Sequence, residues 1–405
     1  MPIPVSRRRL ALFAFFFLPG VSMASWVTRT PAIRDSVGAS IAEMGLVLLG
    51  VSFGSMGGIL SSGPLVARFG SRPVTHVGLW LVVAAMAMIA AGVVLGTMGV
   101  VAFGLGLFGL GMGLSEIAIN IDGADIERLT GRPLLHALHG FYSLGTVCGA
   151  LIGLALTAIS FPVAWHLAII GALGSVLILS FMRFMPYGIG REDRAAVPAR
   201  PGGSEAAPAA LWQDQRLLLI GLIVLAMALA EGAANDWLPI LMVDEYGFSQ
   251  TSGSLIFLGF ALAMTVGRFS GGVLLGRFGR AAVIRGSAVL GALGIALVVF
   301  AENPILGGSA VVLWGLGASL GFPIALSAAG DSGADGAARI RLVATGGYVA
   351  FLVGPPLLGF TGEAYGLRSA MLIVLALIAI ALAIAPAVGP PEARAGRPAG
   401  AGQSL

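Results

Sequence analysis

Apolar residues occur along this chain in runs, each long enough to cross the ~30 Å hydrocarbon core of a bilayer as a helix of roughly 20 residues. Short clusters of arginine, glycine and proline separate them. The pattern predicts about twelve crossings, centred near residues 20, 52, 85, 110, 148, 173, 227, 262, 292, 315, 350 and 379. One long polar interruption runs from Tyr187 to Gln215 and holds Arg191-Glu192-Asp193-Arg194 and a Pro/Gly/Ser/Ala-rich stretch to Ala210. It divides the chain into a bundle at 1–186, a linker at 187–214, a second bundle at 215–390 and a tail at 391–405. The expected fold is an all-α integral membrane protein of twelve transmembrane helices in two pseudo-symmetric six-helix bundles.

Internal repetition supports that division. Gly63-Pro-Leu-Val-Ala-Arg68-Phe69-Gly70 recurs 209 residues later as Gly272-Val-Leu-Leu-Gly-Arg277-Phe278-Gly279. At an offset of 206, Gly109-Leu110-Gly111 recurs as Gly315-Leu316-Gly317, and Tyr142 with Gly153 recurs as Tyr348 with Gly359. Such parallel repeats are a mark of transporters that rock one half against the other.

Charge then orients the chain. With the N-terminus placed in the cytoplasm, nineteen arginines fall on that side and only Arg29, Arg34 and Arg368 on the other, while Arg268 falls inside a span. The positive-inside rule therefore puts both termini and the linker in the cytoplasm.

Composition narrows the function classes. Hydrophobic residues make up 57% and charged residues 10%, against about a quarter charged in ordinary soluble proteins. The chain has no lysine, so a Gly-x-x-x-x-Gly-Lys-Ser/Thr phosphate loop is absent and ATP is not expected to drive it by that route. Its arginines sit between apolar runs, which argues against nucleic acid as a partner. Cys148 is the only cysteine, which excludes a disulfide framework and a multi-cysteine metal site. No cofactor, metal set or enzymatic constellation is expected. Arg7-Arg8-Arg9 before an apolar run imitates a secretory signal but reads as the start of an uncleaved first helix.

The twelve crossings, the 6+6 division and the arginine loops after spans two and eight resemble the major facilitator superfamily. That family's loop reads Gly-x-x-x-Asp-Arg-x-Gly-Arg; here Ala67 and Gly276 replace the aspartate that normally helps hold the outward-facing state. Arg68 and Arg277 remain as gating candidates, able to cap helix ends or pair with acids elsewhere. Gly113-Leu-Ser-Glu116-Ile-Ala-Ile-Asn120, Glu127-Arg128, Gly131-Arg132, His139-Gly-Phe-Tyr142-Ser-Leu-Gly145 and Trp26-Val-Thr-Arg29-Thr-Pro31 look like the bacterial YbjJ-like branch, near the fucose-permease group of sugar:proton symporters. The resemblance implies a multi-pass protein of the bacterial inner membrane, with spans one, four, seven and ten lining a central cavity. Glu116 matches that group's acid in span four. Its acid in span one has no counterpart between Arg9 and Arg29, so a two-acid mechanism does not carry over intact.

Ionised side chains inside a bilayer cost about 2.5–3.5 kcal/mol on insertion scales, so acids kept there are functional candidates. Glu116 and Glu231 each have an asparagine four residues on, Asn120 and Asn235, which places acid and amide on one helix face. A carboxyl in a partly dehydrated cavity favours its neutral form and can carry a proton; the alternative for each is a structural pair with a neighbouring helix. His139 is a further candidate proton stop, or a structural partner of Asp122, Asp125 or Glu127, which are read as loop acids. Asn120, Asn235, Tyr142, Tyr348, Trp26 and Trp314 are candidates for contact with the solute; for Trp26 and Trp237 at the outer span ends interface anchoring is the commoner role, and for Trp314 packing is the equal alternative. Arg268 needs a partner, with Asp331 the suggested one, and is a gating candidate. Arg29 is read as snorkelling to headgroups or as locally paired.

Gly145, Gly149 and Gly153 are read as packing positions. Gly354-Pro355-Pro356-Leu-Leu-Gly359 resembles the motif of drug antiporters, but that motif belongs in span five, where Ala150 stands in place of the proline. The leading expectation is a monomeric, proton-coupled uptake carrier for a small polar, sugar-like solute. Efflux of amphipathic compounds, or a non-transporting sensor of the same fold, are the alternatives.

Overall fold

The computed structural model describes residues 3–132, 134–191, 211–333 and 335–389. The linker expected at 187–214 and the tail at 391–405 lie largely or wholly outside them. The first half contains α1 (Val5–Val27), α2 (Thr30–Val37), α3 (Ile41–Phe69), α4 (Ser71–Leu95), α5 (Met98–Thr130), α6 (Leu135–Ala158) and α7 (Val163–Phe181). The second contains α8 (Gln215–Asp244), α9 (Gln250–Phe300), α10 (Pro304–Ala318), α11 (Gly321–Gly330), α12 (Gly336–Tyr365) and α13 (Leu367–Ile384).

Two features turn these elements into twelve crossings. The 51 residues of α9 would reach about 76 Å as a straight helix, more than twice the bilayer core. Gly279, at φ 74° and ψ 167°, breaks it into spans eight and nine. Gly70 makes the same break between α3 and α4, at φ 87° and ψ 165°. Both are the closing glycine of the repeated motif, and that backbone region is essentially closed to residues with a Cβ. In the same half as Gly279, α10 and α11 follow each other and make up span ten. The short α2 is a cap helix after span one.

Local chemistry sets the helix starts. Ser40 accepts from the Glu43 N–H at 3.2 Å while the Glu43 carboxylate accepts from the Ser40 N–H at 2.9 Å, a reciprocal cap at the head of α3. Asn303 caps α10 through the Ile305 N–H, with Pro304 in the first turn. Small residues then let helices touch. A Cβ on Gly145 or Gly149 would lie 2.3 or 2.4 Å from the Phe17 or Val21 carbonyl oxygen of α1, so α6 and α1 meet backbone to backbone.

The halves meet along α3 with α12 and α6 with α9. At the end where the described residues begin and stop, the terminal end, the following polar contacts each join residues of one half. Arg8, only 6% exposed, donates to Asp122 at 2.8 Å and Asp125 at 2.9 Å. Ser71 donates to the other oxygen of Asp122 at 3.0 Å. Asp122 and Asp125 are therefore not loop acids: α5 continues to Thr130 and carries both inward to meet a cation from α1. In the second half Arg339 holds Asp214 at 2.7 Å and Arg280 holds Asp331. Asp331 stands 206 residues after Asp125, the repeat offset, so each half anchors its spans with an acid at an equivalent place.

At the opposite, far end the contacts cross between halves. Arg34 on α2 holds Asp244 at the end of α8. Gln250 reaches Asp35 at 3.4 Å, the Ala42 N–H donates to Glu363 at 3.2 Å, and Ser254 donates to the Thr28 carbonyl at 3.1 Å. The halves are latched to each other at the far end.

Candidate functional site

Span seven is the best indicator of where open space lies within the protein. From Ile220 to Val243 every residue of α8 is buried or half-buried, so the helix is enclosed on all sides. Between Ala226 and Met242 only Glu231, Asn235 and Asp236 are partly open, and every other residue is buried. These are the polar and charged residues of that stretch. An enclosed helix that opens only at its polar side chains faces an internal cavity there.

The cavity lies between the halves, with Met23 of α1, Tyr142 of α6, Glu231 and Asn235 of α8, and Met264 and Arg268 of α9 in its wall. The Arg268 guanidinium donates to the Glu231 carboxylate at 2.7 Å and to the Ser143 hydroxyl at 3.4 Å. It is also near enough for its charge to act on Glu116 of α5. Tyr142 feels Arg268 and both acids, and Tyr348 of α12 feels Glu116. One guanidinium thus contacts a carboxyl of its own half and lies within reach of the charge of a carboxyl of the other.

The structure brings Glu116, Glu231, Asn235, Tyr142, Tyr348 and Arg268 into this group. Asn120 is partly open on the helix of Glu116, with its amide oxygen buried and without a hydrogen bond. The suggested partner of Arg268 is corrected: Asp331 belongs to Arg280 at the terminal end, and Arg268 reaches across to the neighbouring α8.

Two tryptophans do not reach the cavity. Trp26 is 1% exposed and packs edge-on to Phe108 with ring centroids 6.1 Å apart. Trp314 is fully buried and spends its indole N–H on the Ala230 carbonyl at 3.0 Å. Both rings fill gaps within a half, which their apolar area favours over a wet cavity wall. Trp237 is buried against Gly359 rather than anchored at an interface.

His139 sits exposed a turn closer to the start of α6, edge-on to Phe16 at 5.1 Å. Arg68 and Arg277 lie over the rings of their neighbours Phe69 and Phe278, at 5.0 and 5.4 Å. The two copies of the motif share this stacking as well as the glycine turn. Arg29 does not snorkel. It is 3% exposed and donates to Nδ1 of His166 at 3.3 Å and to the Phe161 carbonyl at 2.6 Å.

Asp236 is the residue that sequence reasoning passed over. Its signal was an acid inside an apolar run, the same signal that marks Glu116 and Glu231.

Comparison with known proteins fits this fold. The family model of the Major Facilitator Superfamily matches residues 10–340. The chain belongs to this superfamily. Among its superfamily relatives is an uncharacterized transporter, y4wD, of Sinorhizobium fredii, 29% identical over 92% of this chain and 96% of the relative. An uncharacterized transporter of the superfamily from Yersinia pestis is 28% identical over 92% of this chain and 94% of its own length. The fold matches a solved structure of the nucleoside transporter NupG with a TM-score of 0.76 at 16% identity, covering 94% of this chain and 99% of that one. It also matches the E. coli fucose:proton symporter FucP at a TM-score of 0.63 and 19% identity, covering 94% and 98%. The protein is a transporter of the superfamily type and not an enzyme.

Proposed function

We propose that this transporter couples proton movement to uptake of a small hydroxyl-bearing solute by alternating access, with Glu116 as its principal proton carrier. The observation that carries the reading is the contact of Arg268 with Glu231 at 2.7 Å, within reach of the charge of Glu116 in the opposite half. The two acids then differ in role. Glu231 has a guanidinium in contact; Glu116 has no such contact among the described residues and is the acid left to gain and lose a proton as water reaches it. A neutral Glu116 leaves Arg268 to Glu231. A charged Glu116 competes for the same guanidinium from across the interface and draws the halves together around the cavity.

Asn120, Asn235, Tyr142 and Tyr348 supply amide and phenol groups suited to hydroxyls. Structural neighbours named for a sugar and for nucleosides, together with the resemblance to the branch near fucose permease, favour that solute class. The latched far end and within-half contacts at the terminal end correspond to a state open toward the terminal end, the cytoplasm by the charge rule. The carrier would act as a monomer in the bacterial inner membrane.

The test pairs two measurements. A thermal-shift screen against sugars, nucleosides, amino acids and cationic drugs at two pH values identifies the ligand. Uptake of that ligand across a pH series then compares wild type with Glu116→Gln. The expected result is a hit among sugars or nucleosides and uptake that no longer responds to pH in the variant. Unchanged pH dependence would remove Glu116 from the mechanism, and hits confined to hydrophobic cations would replace uptake with efflux.

A further inference from the structure

The role of Asp236 rests on the proposed proton coupling and extends it. The residue is five positions after Glu231, about 8 Å further along α8, and eight before Asp244, about 12 Å short of the far-end latch. It is partly open where its helix is otherwise enclosed. Among the described residues no hydrogen bond or ion pair holds its carboxylate, and burial is the only influence found acting on it.

On the elements packed against α8, no described charged group makes a hydrogen bond or ion pair with Asp236. On α9, Arg268 holds Glu231, Arg277 lies over Phe278, Arg280 holds Asp331, and Arg285 is a further charge beyond them toward the start of span nine. On α12, Tyr348 lies by Glu116, Glu363 accepts from the Ala42 N–H, and Arg339 holds Asp214 at the terminal end, where Arg341 also lies. On α13, Arg368 donates to the Val299 and Ala301 carbonyls. On α2, Arg34 holds Asp244, and Asp35 accepts from Arg34 and Gln250. Between Arg9 and Arg29, α1 has no ionisable side chain, and α10 and α11 have none before Asp331.

An ionised carboxylate in such a place carries a desolvation penalty with no cation among the described residues to offset it. A cation must complete it, and the smallest that fits an enclosed site is the proton. We infer that Asp236 is a second proton-binding site, placed between the far-end latch and the Glu231–Arg268 pair, where a proton entering through an opened far end arrives first. Glu231, about 8 Å deeper, already has a cation in its guanidinium partner.

The test needs no solute. Dicyclohexylcarbodiimide reacts with protonated carboxyls in apolar surroundings, and the adduct is located by peptide mass spectrometry on the full-length protein in detergent. The expected result is an adduct at Asp236 that grows as pH falls from 8 to 6 and persists in Glu116→Gln, with Glu231 spared. No adduct at Asp236, or one independent of pH, overturns the inference. A second measurement guards against poor reagent access. Asp236→Asn mimics the protonated form, so it should melt at or above the wild-type temperature at pH 8; a clear drop would mean that a cation already holds the carboxylate, and would also overturn it. Both readouts are independent of flux, so failure of the uptake test with Glu116→Gln would refute the transport mechanism without touching this result.

Discussion

Gly70 and Gly279, 209 residues apart, have the same backbone conformation to within 13° in φ and 2° in ψ. Each ends a membrane span and starts the next, and in each the preceding arginine lies over the preceding phenylalanine. The repeated motif is therefore a turn specification present twice. Replacing either glycine by alanine should cost about 1–3 kcal/mol, because the conformation itself excludes a Cβ. A Cβ added at Gly279 would meet open space, whereas one added at Gly70 would lie 3.4 Å from the Gly188 backbone. Melting temperatures of the two single variants in detergent check this, and Gly70→Ala should be at least as damaging as Gly279→Ala.

Arg8 holds two buried carboxylates, and its removal leaves Asp122 with no cation while Asp125 keeps only the exposed Arg128. Arg8→Met should destabilise the protein by about 3–5 kcal/mol, the range for breaking a buried ion pair from one side. Replacing Arg8, Asp122 and Asp125 together by apolar residues of similar volume should restore much of that loss. Thermal unfolding of the single and triple variants decides between an ionic requirement and a simple need to fill space.

The Glu231–Arg268 pair should behave as a unit. Arg268→Gln and Glu231→Gln should each impair uptake and folding yield, and the double variant should fold better than either single one, since it leaves no charge without a partner. Double-mutant coupling measured on thermal stability checks the pairing independently of any solute. Full additivity would show that the contact contributes nothing.

At the terminal end Asp214 gives a pH signature. Burial would raise its carboxyl, but the Leu217 N–H and the Arg339 guanidinium outweigh that and hold it below the ordinary carboxylate range. A depressed value in the folded state means stabilisation that is present above the unfolded value, about 3.9, and fades as pH falls through the folded one. Asp214→Ala should therefore cost about 1 kcal/mol at pH 7, as loss of a helix cap does. The difference from wild type should shrink when melting is followed below pH 4.

The twelve crossings were readable from run lengths, and the halves from the repeat, because both rest on patterns local in sequence. Gly145 and Gly149 were readable as packing positions for the same reason. The partners of charged residues were not. Arg268 fell on an expected span, but nothing along the chain says whether α8 or α11 faces it, so Asp331 stood where Glu231 belongs. Trp26 and Trp314 were read from depth alone, and depth does not give the direction in which a ring points. Asp236 failed differently: adjacent to Asn235, it lacked the four-residue acid–amide spacing that drew attention to Glu231, and only the enclosure of the helix around it makes it conspicuous.

The far end is fastened by an ion pair, Arg34 with Asp244, that bridges the halves near water. An attraction of this kind weakens as dissolved ions gather round it, over a screening length of about 8 Å at physiological ionic strength. The medium that bathes that end thereby has a hand on the latch. In brackish surroundings the protein would unfasten more readily than in fresh water, before any cargo arrives.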